Sequence, residues 1–187
     1  MVIPFDIRWC SLYTSIIRII DVYGALADAL FEIYEEESDP AANGYYLKLI
    51  NFTFVYQICI LSDVLFPLFQ IDKSLQETGG NILKGLKKIA DEKDKLSNLY
   101  ESDQYGYQFG SFLKEYNKSR TFKSVPIKSE CRTEEEMLNF GKSIKQFVME
   151  KLEERFKLIE HLEVFGVLDF YEMSKSSQFW KEKVLDY

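Results

Sequence analysis

The sequence predicts an all-α fold, a bundle of long antiparallel helices, and three observations carry that prediction. Apolar residues return every three or four positions through most of the chain, which is the helical period. Clusters of Pro, Gly, Asn and Ser cut this pattern into a few long pieces. No strand-rich region, internal repeat or low-complexity tract interrupts it. At 187 residues, 47% hydrophobic and 16% aromatic, the chain fits a single helical domain spanning 1–187. A chain of this size buries roughly 68–70% of its unfolded surface, enough for a core without disulfide or metal staples. The composition is the reverse of the low-hydrophobicity, high-charge pattern of disorder.

The first helix is predicted over 8–37, where Trp9, Tyr13, Ile16, Ile20, Tyr23, Ala27, Leu30 and Tyr34 form one stripe and Ile17, Ile19, Leu26 and Ile33 widen it. Ser38-Asp39-Pro40 and Asn43-Gly44 end it, because Pro lacks an amide donor and restrains the residue before it. A second helix is predicted over 45–76 on Leu47, Ile50, Phe54, Ile58, Leu61, Leu65 and Leu68. Pro67 leaves the carbonyl four residues earlier unbonded, so a kink is expected near Asp63. Thr78-Gly79-Gly80 stops this helix.

A third helix, with Asn81 as its cap, buries Ile82, Leu83, Leu86, Ile89, Leu96, Leu99 and Tyr100. Its other side, Lys84, Lys87, Lys88, Asp91, Glu92, Lys93, Asp94 and Lys95, mixes signs and reads as a solvated face held by local ion pairs. The helical pattern weakens over 103–107 and resumes with Phe109, Phe112, Leu113 and Tyr116. Residues 119–131 read as a loop, with disorder as the alternative. Thr133, followed three residues later by Glu136, makes a capping box that opens a helix through Met137, Phe140, Ile144, Phe147, Leu152, Phe156 and Ile159. The apolar run 162–170 reads as an extended exit segment, and 171–187, with Phe179, Trp180 and Leu185, as a weakly amphipathic tail.

Thirty acids against 23 bases give a net charge of −7, so the mean surface field repels phosphate backbones and binding to nucleic acid by the isolated chain is disfavoured. Cys10, Cys59 and Cys131 are odd in number and far apart, and His161 is the one histidine, which fits neither a disulfide framework nor a structural zinc site. Asp6 and Arg8 precede any apolar stretch long enough for a signal segment, so a chain that is not secreted is expected. Asn51-Phe52-Thr53 matches the glycosylation sequon, which such a chain would not use. The most membrane-like window, 49–62, holds 14 uncharged residues between Lys48 and Asp63. That falls short of the 18 or so residues of a span, so a buried core helix is expected and no membrane partner.

Each candidate for chemistry has a structural reading that the sequence favours. Glu35-Glu36-Glu37 and Glu134-Glu135-Glu136 are the densest acid runs, but adjacent helical residues point about 100° apart and rarely converge on one metal. His161, in the last turn of a helix, complements the dipole there and has no identifiable nucleophile. Cys59 reads as a small buried hydrophobe. Gly79-Gly80 lacks the strand and the further glycines of a phosphate cradle. The bases Lys114, Lys118, Arg120, Lys123 and Lys128, interleaved with Tyr116 and Phe122, read as a solvated loop before a nucleic-acid contact. Trp9 beside Arg8 either starts the core stripe or stacks on an unpaired base with the guanidinium on a phosphate. No catalytic residue, metal ligand, cofactor or small-molecule substrate is expected.

Ile7-Arg8-Trp9-Cys10-Ser11, leading into Ile16-Ile17-Arg18 and Leu26-Ala27-Asp28-Ala29-Leu30, resembles the Arg-Trp motif and following helix of hAT-superfamily transposases. Leu61-Ser62-Asp63-Val64-Leu65-Phe66-Pro67-Leu68, ending in Leu75-Gln76, is similar to that family's second helix, and Phe165 to Phe170 to its exit segment. Ile7 stands where the family usually has Thr, and Phe170 where it has Pro. The resemblance covers 8–170 and implies the helical insertion domain of an RNase H-like transposase without its catalytic sheet. By the same resemblance Arg8 and Trp9 are the DNA-contacting residues, and residence is nuclear, with the cytoplasm as the alternative. The expectation that follows is a noncatalytic transposase remnant that binds a protein partner or itself, partly through Trp9, Phe165 and Trp180. Its alternative is an accessory domain that contacts unpaired DNA through Arg8 and Trp9, weakly when alone.

Overall fold

The computed structural model describes residues 9–77, 82–101, 104–128 and 132–156. They form α1 (Trp9–Asp21), α2 (Tyr23–Glu37), α3 (Pro40–Leu49), α4 (Phe52–Glu77), α5 (Ile82–Asn98), α6 (Tyr107–Ser119), β1 (Thr121–Phe122), β2 (Val125–Pro126) and α7 (Glu134–Phe156). The expected all-α bundle is what these residues build. The exit segment, the tail, Arg8, Cys131, His161, the Gly79-Gly80 stop and the Asn81 cap lie outside the described residues.

Apolar on every side, α4 has nowhere to go but the middle, and α1, α5, α6 and α7 all pack on it. Val55, Cys59, Ile60, Val64 and Leu65 are at most 1% exposed. Cys59 is thus the buried hydrophobe its setting predicted, and burial pushes its thiol well up. By length and composition alone, Phe52–Gln76 would also cross a membrane; in this fold 67% of its most apolar stretch is covered by protein. The helix continues through the buried Pro67.

The single helix expected over 8–37 is two. Val22, at φ −100° and ψ 13°, leaves helical geometry between α1 and α2. The helix expected over 45–76 is also two, α3 and α4. Asp39-Pro40 starts a helix as well as ending one: the Asp39 carboxylate accepts from the Ala41 amide at 2.8 Å and Pro40 takes the first helical position, where a missing donor costs nothing. Ser38, in the left-handed region at φ 53°, makes the reversal between them. The chain breaks again at Asn51, whose side-chain oxygen caps α4 by accepting from the Phe54 amide at 3.1 Å. The sequon asparagine is therefore a helix cap here.

Residues 119–131, expected as a loop, contain the β1–β2 hairpin with Thr121 opposite Pro126 and Phe122 opposite Val125. Its two-residue turn places Lys123 and Ser124 at φ 50° and 69°, the twist that a tight hairpin needs, without a glycine. Phe122, Val125 and Ile127 are buried, and their apolar contacts order the segment. The capping box on α7 forms as read: Thr133 Oγ1 accepts from the Glu136 amide at 3.2 Å and Glu136 Oε2 from the Thr133 amide at 3.0 Å.

Candidate functional site

Trp9 is the first residue of α1, half-buried, with its ring set edge-on to Phe147 of α7 at 6.5 Å. The same Phe147 ring lies under the Lys151 ammonium at 6.0 Å. Beside it the Cys10 thiol donates to Asp72 Oδ2 at 3.0 Å, tying α1 to the far end of α4. Trp9 thus joins the core stripe and keeps part of its ring at the surface.

A cavity of about 330 Å³ opens between α1, α4, α5 and the start of α6, lined by Tyr13, Ser62, Asp63, Phe66, Pro67, Glu92, Lys95, Leu99, Gly106, Tyr107 and Gln108. Two acids lie in its wall. Asp63, 9% exposed, accepts from the Gln108 amide on Oδ1 and the Phe109 amide on Oδ2, each at 2.9 Å. It supplies in trans the N-cap that Gly106 cannot give α6. A Cβ on Gly106 would fall 2.1 Å from Asp63 Cγ, so only glycine lets the carboxylate in. Burial raises the Asp63 carboxyl to about 6, against the downward pull of the two amides.

Glu92, 1% exposed, holds Lys88 and Lys95 on Oε1, each at 2.7 Å, while Oε2 is buried without a partner. Burial pushes its carboxyl up, and the two ammoniums outweigh this and leave it below the usual range. The sequence reading put Glu92 on a solvated face; the structure corrects that, because it shares a stripe with Ile89 and Leu96. Asp63 therefore tethers α4 to α6, whereas Glu92 gathers Lys88 and Lys95 within α5. Among the described residues no group of three or more His, Cys, Asp or Glu stands close enough to hold a metal ion.

The third feature is an arm. α2 and α3 pack mainly on each other and join the bundle at their base, where Tyr23 donates to the Leu49 carbonyl at 2.6 Å and its ring meets Phe122 at 4.8 Å. Farther out, Phe31 and Tyr46 rings lie 5.4 Å apart, and Phe31, Ile33, Tyr45 and Leu47 are 44%, 39%, 62% and 47% exposed. Residues 23–49 carry six acids and one base, a net −5 of the chain's −7. Residues 107–128, beside the arm's base, carry five bases and one acid, a net +4.

No family model, curated protein or solved structure matches this chain. Of the two residues that the resemblance singles out, Trp9 stands where α1 begins and Arg8 lies outside the described residues. Asp63, Glu92 and the arm were missed. Signals for the first two were present: an isolated acid in a long apolar run, and an acid three residues after one buried position and four before another.

Proposed function

We propose that this chain is a noncatalytic protein-interaction domain, descended from the helical insertion domain of a hAT-type transposase and resident in the nucleus or cytoplasm. The descent rests on the sequence resemblance over 8–170. The interaction reading rests on one observation: the α2–α3 arm leaves the bundle after its first turns and exposes four large apolar side chains on an acidic background. Large apolar groups gathered on a projecting element favour a partner that covers them. Crosslinking the full chain in cell extract, beside a Phe31→Asp/Tyr45→Asp variant, tests this. Adducts of the wild type that vanish in the variant carry the reading; identical adducts refute it. The descent is tested separately, by whether the genomic sequence on either side encodes catalytic acids and a dimerisation segment.

A second reading is favoured by the five exposed bases at Lys114, Lys118, Arg120, Lys123 and Lys128 together with the partly open Trp9 ring. In it the domain contacts unpaired DNA. Salt-dependent binding to a DNA hairpin, lost in Trp9→Ala, would establish it, and no binding at low salt ends it.

A further inference from the structure

The arm and the basic segment are neighbours by construction. Phe122 packs on Tyr23, the Lys128 amide donates to the Ile50 carbonyl at 2.8 Å, and the Lys123 carbonyl oxygen lies 3.5 Å from where a Cβ on Gly24 would stand. The hairpin therefore sits between the start of α2 and the end of α3, at the root of the arm. Its one acid is engaged locally: Glu115 Oε1 accepts from Thr121 Oγ1 at 3.0 Å and the Ser124 amide at 3.1 Å. Lys114, Lys118, Arg120, Lys123 and Lys128 are all exposed. At the other end Glu35, Glu36 and Glu37 are exposed at the tip, beyond Asp28 and Glu32. Each molecule thus has a negative tip and a positive root, separated by the length of α2, roughly 22 Å at 1.5 Å per residue.

We propose that the arm docks on the arm of a second copy of this chain, antiparallel about a two-fold axis, with the acidic tip of each against the basic root of the other. Two-fold symmetry makes each contact occur twice and fixes the match without further adjustment, because both arms have the same length. Phe31 and Ile33 stand about 200° apart around α2, as do Tyr45 and Leu47 around α3, so one flank of the arm, with one exposed residue of each pair, supplies the apolar area between tip and root. A parallel arrangement sets acid on acid and is repelled; a neutral partner leaves both charge clusters uncompensated. The inference rests on the interaction-domain reading above and names the partner.

The test is light scattering with size exclusion on the full chain over a dilution series, at low and high salt. Two variants accompany it: Glu35→Lys/Glu36→Lys/Glu37→Lys, with a positive tip, and Lys118→Glu/Lys123→Glu/Lys128→Glu, with a negative root. The wild type is expected to be a dimer that weakens with salt. Each variant alone is expected to dissociate at least about tenfold more readily. An equimolar mixture is expected to pair again, since the positive tip of one then meets the negative root of the other, and both at once. A wild type that stays monomeric, variants that dimerise like the wild type, or a mixture that fails to pair would each overturn the proposal. Should either triple variant lose its helical circular dichroism, the single reversals Glu36→Lys and Lys123→Glu are read the same way. A monomeric wild type whose crosslinked adducts still depend on Phe31 and Tyr45 would overturn only the second copy as partner, and leave the interaction reading standing.

Discussion

Replacing Asp63 with Asn separates the charge of that side chain from its capacity to accept hydrogen bonds. Burial moves the Asp63 carboxyl from its ordinary 3.8 to about 6, even though two α6 amides favour the ionised form. Tenfold in proton affinity is about 1.4 kcal/mol, so the fold disfavours the carboxylate by about 3 kcal/mol relative to the neutral acid. An acid whose folded pKa is raised contributes most below its unfolded pKa, and loses that contribution as pH climbs to the folded value. The wild type should therefore lose about 3 kcal/mol from this group in all, about 2 kcal/mol of it between about pH 4 and pH 6. Asp63→Asn keeps an acceptor for one amide and turns an NH₂ toward the other, a cost of about 1–3 kcal/mol that does not vary with pH. Urea unfolding of both proteins at about pH 4 and about pH 7.5 measures the gap between them, which should shift in favour of the variant by about 2 kcal/mol at the higher pH. A gap that is constant, or that shifts toward the wild type, would refute the account of a desolvated carboxylate.

Three further outcomes are expected. Gly106→Ala drives a methyl into the Asp63 carboxylate and should cost about 1–3 kcal/mol, read as a fall in thermal midpoint; an unchanged midpoint would mean that the Asp63 cap is dispensable. Tyr23→Phe removes the hydroxyl that the Leu49 carbonyl accepts from at the arm's root and should cost about 1–2 kcal/mol in urea unfolding. Thr133→Ala breaks one half of the α7 capping box and should cost about 1 kcal/mol by the same measurement, partly restored by Thr133→Ser.

What the sequence disclosed divides by the range of the interactions involved. The α7 start was legible because Thr133 and Glu136 satisfy each other's amides within one turn. The core role of α4 was legible because its apolar residues cover every side. Asp39-Pro40 was read in part: it stops α2 as expected, but the same pair also caps α3, and only the path of the chain reveals that second use. The α6 start was obscure because its cap comes from Asp63, more than forty residues earlier. The hairpin at Lys123-Ser124 carries no glycine or asparagine, so the usual mark of a tight turn was missing, and buried Phe122 and Ile127 hold it instead. Glu92 was assigned to water because its neighbours Lys88 and Lys95 face outward, although its own position belongs to the inner stripe.

Fastening at one end also grades the arm in time. Near Tyr23 and Leu49 the arm is held by the bundle, whereas toward Glu37 and Pro40 it is held mainly by the pairing of two short helices. Local opening should accordingly spread inward from the turn at Ser38, and hydrogen–deuterium exchange should quicken stepwise along α2 while α4 stays closed. The portion of the molecule offered outward should thus also be the portion that unfastens first, free to adjust its shape without loosening the centre that holds it.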